Sequence, residues 1–347
     1  MPWTKPQNGP ARVTAAGKII AGRKQPSESL DMDAALSIAG NWRSSHGYPL
    51  HVFKSVLRGR AKKVDPRALV AQRLKRLPSI IAKLKRFHAM QLSTMQDLGG
   101  CRAVVRTVAN VDRLVKMYED NPTSAARFFG KKDHILNPKP DGYRGVHLIY
   151  EYQGRSQEGA FCGHKIEIQL RSRLQHAWAT ALETIDAFTG QALKSGLGND
   201  LWKRFFALSS TLIAFREKRP VVPDTHANRD DLRRELKTLC KQLNVPDVFY
   251  GLSVGLNLTT EKEEGAVAYI LELDSDLRQT ACTAFVSNEV AAERYMKLEK
   301  ENLNKPHIQT VLVSVDSVAA LRKAYPSYYL DTNQFTALVA DLIASEQ

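Results

Sequence analysis

Between Arg73 and Glu183 lie four groups of residues whose types and spacing suit chemistry on phosphates. The first is Arg73-Leu74-Lys75-Arg76-Leu77-Pro78-Ser79-Ile80-Ile81-Ala82-Lys83-Leu84. Lys75, Ser79 and Lys83 recur at every fourth position, which on a helix is one ridge. Two ammoniums flanking a hydroxyl make a triphosphate cradle. Pro78 lacks an N–H and can open a helix at its own position, which would take Lys75 off the ridge. A solvated basic helix face has the same composition. The second group is Asp97, followed by Gly99, Gly100 and Arg102. A carboxylate at a strand entrance, beside residues that allow close backbone approach, suits Mg²⁺. That ion takes a few carboxylates and completes its shell with substrate phosphate oxygens. A turn aspartate capping its own backbone is the other reading.

The third group, Lys139-Pro140-Asp141-Gly142-Tyr143-Arg144-Gly145-Val146-His147, is a loop entering a strand. A tyrosine face can stack a base while neighbouring cations hold its phosphates; a surface turn with a packing tyrosine is the alternative. The fourth is the strand Lys165–Arg171. Ile166, Ile168 and Leu170 face one way, and Lys165, Glu167, Gln169 and Arg171 the other. A helix follows with His176, Trp178 and Glu183.

Several elements must position these groups. The patterning predicts helices over 29–43, 50–60 and 66–88, the last interrupted at Pro78, with a turn at 46–49. Asp97–Gly100 turns into a strand over 101–108, and a helix spans 110–120. Strands cover 147–152 and 165–171, and helices 173–188 and 200–217. Arg219-Pro220-Val221-Val222-Pro223-Asp224 reads as a linker. Beyond it come a helix near 228–243, strands near 267–273, 281–286 and 309–315, and helices near 288–303, 316–325 and 334–345. This order predicts an α+β fold, a mixed β-sheet flanked by helices, with a small α/β domain at the C-terminal end. The expected domains are residues 1–220 and 221–347.

The net charge of +14 is unevenly placed. Residues 1–220 carry +20 and residues 221–347 carry −6. Residues 54–86 alone hold twelve Lys or Arg against the single acid Asp65. A half this basic attracts phosphate-bearing partners. No apolar run reaches the roughly 18 residues of a membrane-spanning helix, so no membrane partner is expected. The N-terminal twenty residues are too polar for a secretory signal, and cytoplasm is the expected location. Cys101, Cys162, Cys240 and Cys282 stand singly, which predicts buried free thiols, with neither zinc nor a disulfide framework.

The four groups keep a definite order: R-x-K-x-x-x-S-I-x-x-K-L, D-L-G-G-x-R, K-x-x-G-Y-R-x-x-H, then E-I-Q-L-R-x-x-x-x-H-x-W-A. In this order they resemble the synthetase domain of the RelA/SpoT family, over about 120 residues. The resemblance implies a nucleotidyltransferase-like synthetase fold and transfer of the β,γ-pyrophosphate of ATP to a ribose 3′-hydroxyl, releasing AMP. It implies that Arg73 and Arg102 sandwich the adenine, and that Lys75, Ser79 and Lys83 hold its phosphates. Asp97 and Glu167 would bind Mg²⁺. Tyr143 would stack on the acceptor base, with Lys139, Arg144 and His147 around the acceptor. Gln169 and Arg171 would line the site, and Glu167 would help to deprotonate the attacking hydroxyl. In-line phosphoryl transfer relies on positioning and charge neutralisation, which suits such a set.

One position departs from the family pattern. The family has serine after Gly-Tyr-Arg, where this chain has Gly145; a looser acceptor loop is expected, and the usual guanine nucleotide acceptor comes into doubt. No hydrolase signature is apparent. The acidic end contains Tyr325-Pro326-Ser327-Tyr328. A Y-x-x-Y there resembles the CapRel group of toxic small alarmone synthetases; tyrosines packing at a helix end are the plain alternative. That second resemblance implies a C-terminal domain that restrains the enzyme through Tyr325 and Tyr328, release by a phage capsid protein, and pyrophosphorylation of the tRNA 3′-CCA end, which stops translation. Lys62-Lys63, Lys85-Arg86, Lys131-Lys132 and Lys203-Arg204 suit an RNA backbone. The competing expectation is a small alarmone synthetase making (p)ppGpp or (p)ppApp. A third, an inactive RNA-binding or phage-sensing module, fits poorly with intact Asp97, Glu167 and Gln169.

Overall fold

The computed structural model describes residues 3–121, 126–154, 156–189, 199–254, 257–260, 265–274, 276–277, 279–305, 307–314 and 332–344. Within them lies one mixed nine-stranded sheet flanked by helices, the α+β arrangement expected. The chain opens on α1 (Pro10–Ile20), absent from the sequence reading, and continues through α2 (Met32–Ser44) and α3 (Gly47–Val64). The turn expected at 46–49 is already helix from Gly47 onward. Pro49 sits in its first turn, where a missing N–H leaves no hydrogen bond unmade.

The largest difference lies at 66–88. Leu69–Leu74 is a strand, β1, and only Leu77–Arg86 is helix, α4. Pro78, in the first turn of α4, fixes where that helix begins. Backbone partners on both sides of β1 override the helical pattern of its side chains. Those partners are β2 (Gly99–Val105) and β9 (Ile308–Ser314). Lys75 therefore stands in the β1–α4 connection, off the ridge that carries Ser79 and Lys83.

After α5 (Val108–Asp120) come β3 (Ala126–Asp133), β4 (Val146–Tyr152) and β5 (Lys165–Ser172), then α6 (Arg173–Thr189) and α7 (Asp200–Glu217). Next are α8 (Arg229–Gln242), α9 (Val245–Val254), β6 (Asn257–Thr260), β7 (Ala268–Asp274), β8 (Gln279–Phe285), α10 (Asn288–Glu301), β9 and α11 (Asn333–Ala344). The sequence reading lacked β3, β6 and α9, and its helix at 316–325 lies outside the described residues. Strand order is β3-β4-β5-β2-β1-β9-β7-β8-β6. The β2–β5 and β6–β8 pairs are parallel and the others antiparallel.

The residues after 221 thus continue the sheet begun before them, through Gln72↔Ser314 and Arg73↔Val313. Phe249, Phe335 and Leu338 also join Trp202, Phe205 and Phe206 of α7 in one apolar core. The proline-bounded stretch 219–224 is seated on the protein: Val222 is fully buried and its N–H donates to Thr211 Oγ1. Among the described residues no helix is long and apolar enough to cross a membrane. All four cysteines are free; Cys101 and Cys282 are buried as expected, while Cys240 is half-buried and Cys162 exposed.

Behind the sheet, the α2–α3 junction packs on the chain entering β5. The rings of His46 and His164 lie 4.3 Å apart, each 1% exposed, with Trp42 4.6 Å from His164. His46 Nδ1 pairs with the Trp42 carbonyl and His164 Nε2 with Ser45 Oγ. Burial, reinforced by the other ring, holds His46 well below the usual histidine range; burial pushes His164 down to about 4. In the unfolded chain both titrate near ~6.5, so between about pH 6.5 and 4 the unfolded state binds more protons. Stability is therefore full above that window and falls as pH drops through it, by about 3 kcal/mol for His164 alone. Denaturant midpoints at pH 7.5 and 5 check this. The His164→Gln variant should lose part of the pH dependence; an unchanged pH slope would speak against the assignment.

Candidate active site

A cleft of about 320 Å³ opens on one face of the sheet and collects residues from all four sequence groups. Register explains how. Arg73 pairs with Gly100, and Gly100 with Glu167; Ala71 pairs with Arg102, and Arg102 with Gln169. Paired residues share a face, so Arg73, Arg102, Glu167 and Gln169 all reach the cleft floor. Gly100 leaves the space between Arg73 and Glu167 open.

Asp97 sits one residue before Leu98, whose carbonyl accepts from the Lys75 N–H at 2.8 Å. That backbone bond brings the β1–α4 connection to the start of β2. Lys75 Nζ and Lys83 Nζ both donate to Asp97 Oδ2, at 2.9 and 2.8 Å. Burial would raise the Asp97 carboxyl, but the two ammoniums hold it below the usual carboxylate range. Burial lowers Lys75, with Asp97 opposing. Ser79, partly exposed in the first turn of α4, is not among the residues that line the cleft. The cradle thus has two ammoniums sharing one carboxylate rather than two ammoniums flanking a hydroxyl.

On the other side the loop 139–147 folds over α7. Gly142 has φ of 90°, and a Cβ there would meet Phe206 O, Ser210 Cβ and Trp178 Cζ2 at 3.0 Å each. Asp141 Oδ1 accepts from the Tyr143 N–H at 2.8 Å, which turns the chain into the cleft. The Tyr143 hydroxyl lies 2.6 Å from His147 Nε2, and His147 Nδ1 lies 2.8 Å from Glu167 Oε1. Gln169 Nε2 donates to Glu167 Oε2 at 2.6 Å, and Arg171 Nη2 donates to the Tyr143 hydroxyl at 2.9 Å. Lys139 Nζ and the Arg171 guanidinium each stand 5.0 Å from the Tyr143 ring centre.

These contacts set the charges. Burial alone would raise Glu167, yet the hydrogen bond and charge of His147, with Gln169, draw it well below the carboxylate range. Burial would lower His147, but Tyr143 and Glu167 raise it to about 9, so the ring is cationic at neutral pH. Burial would raise Tyr143, but Arg171 and His147 bring it down to about 8.

Arg144 corrects an expectation. It is 2% exposed, and its guanidinium donates to Ser210 Oγ and to the carbonyls of Ile135 and Pro220. It fastens the loop to α7 and to the stretch after it, and does not line the cleft. Gly145 corrects another. With φ of 153°, its absent Cβ would lie 3.3 Å from both Arg171 Cγ and the Tyr143 hydroxyl. The loop is tight here, not loosened. Gly145→Ser, restoring the family's residue type, should strain the backbone by about 1–3 kcal/mol and push Tyr143 and Arg171 apart. A fall in turnover with retained circular dichroism is the expected result; unchanged turnover would show that the pocket yields freely.

Lys132 and His134 also line the cleft, as does Glu183. His134 stands 5.7 Å from the Tyr143 ring and 5.5 Å from that of His147. The sequence reading had no catalytic place for Lys132 or His134, because it missed β3, the strand that delivers them. The register Lys132↔His147 puts Lys132 beside a residue the motif did single out.

Two buried polar atoms here lack a hydrogen-bond partner: Asp97 Oδ1 and Arg171 Nε. The first is an acceptor of the kind a hard cation takes, the second a donor suited to an anion. Among the described residues no three His, Cys, Asp or Glu side chains converge as a metal-binding group. A cation here would rest on Asp97 and Glu167 and on substrate oxygens, which is the habit of Mg²⁺.

Residues 72–185 match the family model described as a region found in RelA / SpoT proteins. Among curated proteins, the GTP pyrophosphokinase YwaC of Bacillus subtilis is 32% identical over 117 residues, covering 31% of this chain and 52% of that protein. The GTP pyrophosphokinase YjbM of the same organism is 29% identical over 119 residues, covering 33% and 54%. The chain thus spans about half the length of these curated relatives. Among solved structures, small alarmone synthetase 1 of Bacillus subtilis bound to its product pppGpp aligns with a TM-score of 0.44 at 21% identity, covering 50% of this chain and 90% of that one. Residues 72–185, with their four ordered motifs, thus carry the region found in RelA / SpoT proteins.

Proposed function

We propose that this chain is a pyrophosphokinase that moves the β,γ-pyrophosphate of ATP to the ribose 3′-hydroxyl at the CCA end of tRNA. One observation carries the reaction class: Lys75 and Lys83 around Asp97 face the Tyr143–His147–Glu167 chain across one cleft. Cations for a triphosphate and a polar chain for a hydroxyl acceptor thus share one floor. In the proposed step the 3′-oxygen bonds to the β-phosphorus, the α,β-bridging bond breaks, and AMP leaves with the bridging oxygen. The hydroxyl proton goes to Glu167. His147 and Gln169 hold that carboxylate in place and ionised. A carboxylate so acidic is a weak base, which suits a loose transition state where positioning and charge neutralisation do most of the work. Lys75, Lys83 and Arg171 hold phosphate oxygens, Arg73 and Arg102 flank the adenine, and Tyr143 and Lys139 receive the acceptor. Asp97 and Glu167 would hold Mg²⁺, which when bound neutralises phosphate charge.

The basic cleft and the basic residues 1–220 favour a polyanionic acceptor. Likeness to two GTP pyrophosphokinases supports the second reading, synthesis of (p)ppGpp or (p)ppApp from a free nucleotide. Residues 221–347 act in this proposal as a restraint that a phage capsid protein relieves. Their seating on the catalytic sheet through β9 supports a role in control. Tyr325 and Tyr328, the expected restraining residues, lie outside the described residues.

The test is transfer from γ-labelled ATP to tRNA, GDP, GTP or AMP, with and without the capsid protein. Label on tRNA, rising with the capsid protein, is expected. Label on mononucleotides alone would shift the acceptor to the second reading. No rise with the capsid protein would remove the restraint, and no transfer to any acceptor would remove the reaction class.

A further inference from the structure

β3 is an edge strand whose register against β4 shifts between Phe128 and Gly130. Phe129 is the extra residue of this bulge and is 43% exposed. A bulge re-aims a side chain, and this one sets the Phe129 ring 3.9 Å from Lys165 Nζ. The registers Arg127↔Glu151↔Lys165 and Lys132↔His147 put Arg127, Lys165 and Lys132 on the cleft face. Arg127, its side chain 62% exposed, is paired with Glu151. Three cations against one carboxylate leave this strip positive around an exposed aromatic ring, and Lys132 at its inner end already lines the cleft.

We propose that Phe129, with Lys165, Arg127 and Lys132, forms a stacking shelf for single-stranded RNA whose 3′ end enters the cleft. This rests on the reading of an RNA acceptor. Aromatic rings stack bases without regard to sequence, while flanking cations follow the backbone. Glu167 stands level with the residue after Phe129, two strands across through Gly130↔Ile149↔Glu167, about 10 Å over the sheet. Stacked nucleotides rise about 3.4 Å each, so the base on Phe129 would lie about three nucleotides upstream of the reacting end. A mononucleotide seated with its base on Tyr143 has no second base to place on Phe129. Lys165 backs one face of the ring, and the exposed remainder is open to a base. A protein strand adding to the β3 edge would use the backbone of β3 instead, and has no need of a cation-backed ring on the cleft face.

The test uses the full chain, a 5′-fluorescent twelve-nucleotide single-stranded RNA read by anisotropy, and a fluorescent ATP analogue. Phe129→Ala should weaken RNA binding about tenfold, within the range of one lost base stack, and leave ATP-analogue binding unchanged. Phe129→Trp should restore RNA binding, and RNAs shortened to two nucleotides should no longer distinguish the variants. Equal RNA affinity in wild type and Phe129→Ala overturns the shelf, as does failure of the wild type to bind RNA. Parallel loss of RNA and ATP-analogue binding, unrescued by tryptophan, also overturns it. Phe129-dependent RNA binding without label transfer to any RNA leaves the shelf standing and removes the RNA acceptor. Label transfer to tRNA that ignores Phe129 does the reverse.

Discussion

Replacing Asp97 with asparagine should lower pyrophosphate transfer by about a thousandfold while leaving the fold intact. One oxygen of this carboxylate holds two ammoniums, and the other is buried without a partner. Asparagine keeps the volume but removes the charge that fixes Lys75 and Lys83 and the oxygen best suited to a cation. Removing one preorganised electrostatic group from an active site typically costs about 10²–10³ in rate, and Asp97 serves several partners at once. The fold should survive because the released ammoniums face an open cleft, each between a fifth and a third exposed. Initial rates of label transfer at saturating ATP, beside a thermal melt, check this. A variant within tenfold of wild type would show that Asp97 is a structural turn residue after all.

Glu299→Ala should be the most damaging single change for stability, about 3–5 kcal/mol. Glu299, on α10, is 3% exposed and accepts hydrogen bonds from the Leu77 N–H at 2.7 Å and the Tyr295 hydroxyl at 2.8 Å. Its other oxygen pairs with Arg43 of α2, which is 1% exposed and also lies over the Tyr295 ring. Alanine would strand a buried guanidinium and uncap the first turn of α4, the helix that carries Lys83. A buried pair can be replaced by apolar residues at small cost, so Arg43→Met with Glu299→Leu should recover much of the loss. Denaturant titrations of the two single variants and the double variant decide it. If Glu299→Ala unfolds at the wild-type midpoint, the junction contributes nothing.

The elements read correctly from the sequence were those whose side chains carry their own signal. Ile166, Ile168 and Leu170 alternate strictly, and all three are fully buried. That alternation gave β5, and with it the floor positions of Glu167 and Gln169. β1 was misread because its apolar residues also fit a helical period; what decides its state is backbone pairing with β2 and β9, invisible locally. β3 was missed because Phe128, Phe129 and Gly130 break the alternation at the bulge, so Lys132 and His134 had no element to place them. Arg144 followed Tyr143 in a motif and was given its role, yet Ser210 and Pro220, far along the chain, pull it out of the cleft. Beyond Tyr295 one helical turn before it, Glu299 takes its partners from Arg43 and Leu77, more than two hundred residues away, which no local pattern marks.

The pairing of β1 with β9 also sets a timetable. β9 leaves the ribosome about 240 residues after β1, and at synthesis rates of about 5–20 residues per second that is roughly 10 to 50 s. From the emergence of Glu183 until β9 follows, the strand carrying Arg73 has one raw edge, and the nascent chain holds nearly every group of its cleft without its last supporting strand. Each molecule passes through this unfinished form once, while still attached to the machinery that makes it.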